Sequence, residues 1–146
     1  GMEFGHMIIE KDGRDCKCGS KGCFETYCSM KVLKREIIET LELDENETSA
    51  NIVNEIRKHI NDLRIKPLIE EYIEYLAIGI SNLINIFEPE IVCIGGSFVF
   101  IGDLIIPRLK KEINDKGLLF NSRKEIEIVL ASLGNDAGII GAASLL

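Results

Sequence analysis

The chain has 146 residues, 46% of them apolar, and a formal net charge of −7. That length supports one domain with its own core, and that apolar content excludes a disordered chain. The negative field works against nucleic acid, and no run of basic residues offsets it. Every apolar stretch is broken by charge short of a membrane span, and no secretory pattern opens the sequence. Five cysteines, three of them closely spaced, fit a reducing cytoplasm better than a secreted disulfide framework.

Residues 6–10 are apolar at Met7, Ile8 and Ile9 and are expected to form a short strand. Lys11-Asp12-Gly13-Arg14 is expected to turn, because Asp-Gly is a strong reversal signal. Cys16-Lys17-Cys18-Gly19-Ser20-Lys21-Gly22-Cys23 follows. With His6 ahead of it, the segment offers three thiolates and an imidazole. Zn²⁺ prefers such donors, and a tetrahedral site needs four. Gly19 and Gly22 permit the sharp turns that bring the sulfurs together. Four protein ligands leave no open position, so zinc at His6, Cys16, Cys18 and Cys23 is expected to be structural. The alternative is a set of buried thiols that only pack. Cys28 and Cys93 fall outside the spacing and are expected to be small core residues.

A helix is expected over 24–41, where Tyr27, Met30, Val32, Leu33, Ile37, Ile38 and Leu41 recur at helical spacing. Residues 44–49 are acidic and polar, a loop in which Thr48 or Ser49 caps a helix over about 50–64. His59 lies off that helix's apolar face and is expected to be ordinary surface. Pro67 suits the first turn of a long helix that stops near residue 87, before Pro89. Gly79 interrupts its apolar stripe, which predicts close packing on a neighbour.

The continuous apolar run 91–94 suits a strand covered on both faces. Gly95-Gly96 ends it at the carboxyl end, where open α/β sheets bind ligands and bare backbone would let adenosine approach. A tight turn explains the pair equally well. A helix over 102–114 with Pro107 near its start, a second buried strand over 126–131 and a small-residue helix over 136–146 complete the chain. Asn135 or Asp136 suits the N-cap of the last. Strand, helix, strand, helix implies a parallel pair with a right-handed crossover. The chain divides into a loop part (1–25), a helical part (26–88) and an α/β part (89–146).

Glu3-Phe4-Gly5-His6, the Asp-Gly-Arg turn and Cys-x-Cys-Gly-x-x-Gly-Cys-x-Glu together resemble the signature of the ROK family of bacterial sugar kinases and sugar-responsive repressors. Pro89 to Gly96 and Leu133 to Ala143 resemble its strand-Gly-Gly and C-terminal segments. The resemblance implies an α/β fold, the C-terminal lobe of an actin-like (ribonuclease H-like) ATPase, lacking that lobe's first three strands and carrying a zinc-loop insertion. It implies that Glu3, His6 and Glu25 contact hydroxyls of a hexose or amino-hexose, with Gly95 and Gly96 on the nucleotide side. Complete kinases of the family also use ATP and Mg²⁺, a phosphate loop and a catalytic aspartate, and this chain has neither of the last two. The function implied is the C-terminal part of an ATP-dependent sugar kinase, inactive alone. The alternative is the sugar-sensing, dimerising part of a repressor whose DNA-reading region lies elsewhere, so that this chain binds no nucleic acid directly. Either way a partner surface is expected, a second copy or a separate N-terminal part.

Overall fold

Helix α4 (Ile65–Phe87) is the longest element described in the computed structural model, which describes residues 3–120 and 126–132. Its buried side includes Ile65, Ile69, Ile73, Leu76, Ile80 and Ile84, at successive separations of three or four residues. That spacing puts them in one stripe, and burying each such side chain is worth about 1.5–3 kcal/mol. The stripe faces α1 (Glu25–Cys28), α2 (Met30–Leu41) and α5 (Gly102–Asp115). Gly79 does pack closely: a Cβ there would run into the ring of Phe24. Helix α4 ends where Glu88 turns left-handed (φ 45°) and its N–H returns to the Ile84 carbonyl, just before Pro89.

The helix expected over 24–41 is two helices. Ser29 between α1 and α2 is extended (φ −73°, ψ 146°), and its Oγ accepts from Val32 N–H at 3.3 Å. In a continuous helix that N–H would bond the Cys28 carbonyl. Here the Cys28 carbonyl accepts instead from the Tyr72 hydroxyl of α4, at 2.7 Å. A local cap and a distant donor together replace one helical bond, which is why periodicity alone missed the break.

Helix α3 (Ser49–Lys58) is capped by Thr48, whose hydroxyl accepts from Asn51 N–H. It stops at Lys58, short of 64, because Asp62 organises the next turn, accepting from the N–H of Arg64 at 2.8 Å. His59 lies beside Glu55 at 3.4 Å, partly exposed, as expected for surface.

Strands β1 (Ile91–Ile94) and β2 (Glu127–Leu130) pair in parallel, Ile91 opposite Glu127 and Ile94 opposite Leu130. They flank α5, so the strand-helix-strand order is as expected. Pro107 is the sixth residue of α5, inside the helix and not near its start. Two expectations fail on β1. It is not covered on both faces: Val92 and Ile94 pack on the core, but Ile91 is 56% exposed. Cys93 shares the outer face and is exposed, so it is not a core residue, whereas Cys28 is buried. Among the described residues the core lies against one face of the pair. The helix expected over 136–146, with its cap at Asn135 or Asp136, lies outside the described residues. No helix among the described residues is long and apolar enough to cross a membrane.

Candidate metal centre

The strand expected over 6–10 is instead a 3₁₀ turn (Phe4–His6) followed by a single antiparallel bridge, Ile8 to Cys23. The partner segment is extended only briefly. Gly22 has φ +75° and Phe24 is already helical, so pairing cannot extend. A second bridge joins Asp15 and Lys21, and the tip between them closes when Gly19 N–H bonds the Cys16 carbonyl at 3.0 Å. Gly22 is held from both sides. Its N–H donates to the Arg14 carbonyl (2.8 Å), and its carbonyl accepts from Ile9 N–H (2.9 Å).

This folding brings the four expected ligands together. One donor atom from each of His6, Cys16, Cys18 and Cys23 lies within 4.8 Å of the others. Cys18 Sγ is 3.6 Å from Cys23 Sγ, and Cys16 Sγ is 3.5 Å from His6 Nδ1. Zn–S bonds of about 2.3 Å at tetrahedral angles put sulfurs about 3.8 Å apart, so the cluster has the size of a zinc site. Nδ1 is the ring nitrogen turned to the sulfurs, which leaves Nε2 for another partner. Burial differs sharply among the thiols: Cys23 is fully buried and Cys18 exposed. Burial, then the neighbouring Cys18 and Cys16 sulfurs, push the Cys23 thiol up to about 12. The Ser20 main chain, then Cys16, hold Cys18 down to about 7.

Glu25 opens α1 at the edge of this cluster. Its Oε1 is 3.5 Å from Cys16 Sγ, 3.8 Å from His6 Nδ1 and 3.6 Å from Lys17 Nζ. A Cβ on Gly5 would come within 3.3 Å of the Glu25 Cβ, so the 3₁₀ turn backs that side chain closely. Glu3 is at the start of the same turn, exposed, with its carbonyl bonded by His6 N–H. His6 and Glu25 are therefore adjacent, and Glu3 is on the turn that carries His6. Gly95 and Gly96 are at the carboxyl end of β1, the latter with φ +66° and open space where a Cβ would be. A cavity of about 850 Å³ lies at the opposite end of the strands, lined by Glu90, Ile91, Glu127 and Ile128 among others, and touches none of the candidate residues. Arg14 and Tyr27 also meet beside this loop, the Arg14 N–H donating to the Tyr27 hydroxyl at 2.7 Å. The sequence presents one as part of a turn and the other as a core position, and only the Asp-Gly-Arg motif marks Arg14.

Comparison with known proteins gives the arrangement its context. The family model described as ROK family matches residues 1–146. The xylose repressor of Bacillus subtilis is 31% identical over 146 residues, covering 98% of this chain and 36% of its own length. The glucokinase of Thermotoga maritima is 30% identical over 156 residues, covering 100% of this chain and 49% of its own length. The chain thus spans half or less of the curated relatives it matches. Among solved structures, a ROK family glucokinase from Streptomyces griseus, in complex with glucose and AMPPNP, superposes with TM-score 0.74 at 25% identity, over 98% of this chain and 50% of that one. A ROK hexokinase from Thermus thermophilus has the same fold, with TM-score 0.74 at 22% identity over 97% of this chain and 47% of its own. With its whole length matched and its helix-and-strand fold shared with these sugar kinases, the chain belongs to the ROK family.

Proposed function

We propose that this chain is the C-terminal, actin-like lobe of a ROK sugar kinase, without the lobe's first three strands, working in the cytoplasm with an N-terminal part that supplies the phosphate loop and catalytic aspartate. His6, Cys16, Cys18 and Cys23 hold a structural zinc, and Glu3, His6 and Glu25 face the hydroxyls of a hexose or amino-hexose. Gly95 and Gly96 border the nucleotide, which the complete kinase binds with Mg²⁺. The loop part (1–25), the helical part (26–88) and the α/β part (89–146) serve the metal and sugar, the core, and the nucleotide in turn.

The observation that carries this reading is the convergence of one imidazole and three sulfurs beside Glu25. A zinc held by these four residues would supply a fixed hub for the loop. The chain's own groups do the rest: carboxylates accept charge-assisted hydrogen bonds from sugar hydroxyls, and His6 uses Nδ1 for one task and Nε2 for the other. The repressor reading, a sugar-sensing and dimerising lobe, is supported by the xylose repressor's 31% identity over 98% of this chain. The gene sequence upstream separates the two, since a DNA-reading domain marks a repressor and a phosphate loop alone marks a kinase.

The test is elemental analysis of the metal-replete chain with calorimetric hexose titration. One zinc per chain is expected, lost on acidification as imidazole and thiolates protonate. ATP turnover with hexose by this chain alone would overturn the need for an N-terminal part. Absence of zinc from metal-replete material would overturn the proposed centre.

A further inference from the structure

Arg14 stands two residues before Cys16 and is engaged through its main chain and both terminal guanidinium nitrogens. Its N–H donates to the Tyr27 hydroxyl at 2.7 Å, and its carbonyl accepts from Gly22 N–H at 2.8 Å. Its guanidinium donates to the Thr26 carbonyl of α1 at 3.0 Å and pairs with Glu36 of α2 at 2.9 Å. It reaches Glu71 of α4 at 3.7 Å and lies 4.6 Å from the centre of the Tyr27 ring. Tyr27 in turn packs on Tyr75 of α4, with ring centres 4.2 Å apart. One side chain thus joins the ligand loop to three helices, beside the residue that follows Glu25.

The chemistry of arginine matters here. An exposed ion pair contributes little, but the Glu36 side chain is only 16% exposed. Lysine keeps the charge, but loses the planar fork that serves Thr26, Glu36 and the tyrosine face together. We infer that Arg14 is the positioning residue of the ligand loop, holding Cys16–Cys23 and the α1 turn that carries Glu25 in one arrangement before metal binds. The inference rests on the proposed metal centre. Without the clamp, the ion itself must order the loop, and the cost of that ordering appears as weaker affinity.

Co²⁺ titration of the reduced, metal-free chain, in competition with a chelator, tests this. The unaltered chain is expected to develop the absorption of a tetrahedral thiolate site. Arg14→Lys and Glu36→Gln are expected to keep the band positions while the dissociation constant rises about 10- to 100-fold, the usual effect of losing a residue that orients metal ligands. Arg57→Gln is the control, because Arg57 pairs with Asp103 at 2.6 and 2.8 Å, tying α3 to α5 away from the loop. It should leave Co²⁺ affinity unchanged. If Arg14→Lys does not fold, Glu36→Gln makes the same comparison with Arg14 intact. Variants that bind Co²⁺ as tightly as the unaltered chain overturn the inference about Arg14 and leave the metal centre standing. Equal weakening by Arg57→Gln overturns it too, since the loss would then be one of general stability. No tetrahedral spectrum from the unaltered chain overturns the metal centre, and this inference with it.

Discussion

Gly19 and Gly22 have similar roles in the sequence and different roles in the loop. Both have positive φ, +90° and +75°. At Gly19 an added Cβ would meet nothing within 4 Å, whereas at Gly22 it would run into the Glu10 carbonyl. Gly19→Ala therefore costs only backbone strain, about 1–2 kcal/mol. Gly22→Ala adds a collision with backbone, and moving that backbone breaks the bonds Gly22 makes to Arg14 and Ile9. Urea denaturation of the metal-replete variants should show the larger loss at Gly22, with loss of bound metal at that variant alone. Equal shifts at the two positions would show that the collision is relieved without disturbing the loop.

The break between α1 and α2 decides where Glu25 sits among the elements. A continuous helix would carry the first turn on along the axis of α2; the extended Ser29 instead lets α1 turn independently toward the Cys16–Cys23 loop. Ser29→Ala removes the cap on Val32 N–H and is expected to cost about 1 kcal/mol. Tyr72→Phe leaves the buried Cys28 carbonyl without its donor, at about 1–3 kcal/mol. Denaturant midpoints of the two variants and their double test this, and since both act on one break their effects should not add. Strict additivity would mean the cap and the tyrosine act separately.

At the scale of the molecule, several large apolar side chains among the described residues are exposed in one region. Ile86 is 66% exposed, Phe87 54% and Ile91 56%, around the end of α4 and the start of β1. Phe120, 95% exposed, is tied to the same region by its N–H bond to Asn85 Oδ1. Among the described residues the sheet has two strands, and an edge left unpaired among them invites another strand. The chain is therefore expected to associate, with itself or with an added N-terminal part, and sedimentation velocity over a dilution series checks this. A well-folded monomer at high dilution that ignores the N-terminal part would contradict it.

The sequence alone marked the four donor side chains that the fold brings together, a cap at Thr48 or Ser49, the stop before Pro89 and the order of strands around α5. Each is a local signal: donor types at fixed spacing, a hydroxyl ahead of a helix, a ring that blocks the next turn. Tertiary structure decided what depended on distant partners. Tyr72 ends a helix 44 residues before it in the chain. The core packs against one face of β1 and leaves Cys93 outside. Arg14 became a clamp only when Glu36, Glu71 and Tyr27 converged on it from separate helices. A pattern along the chain reports what a residue's neighbours in sequence require, and only the folded packing brings together groups that are far apart in it.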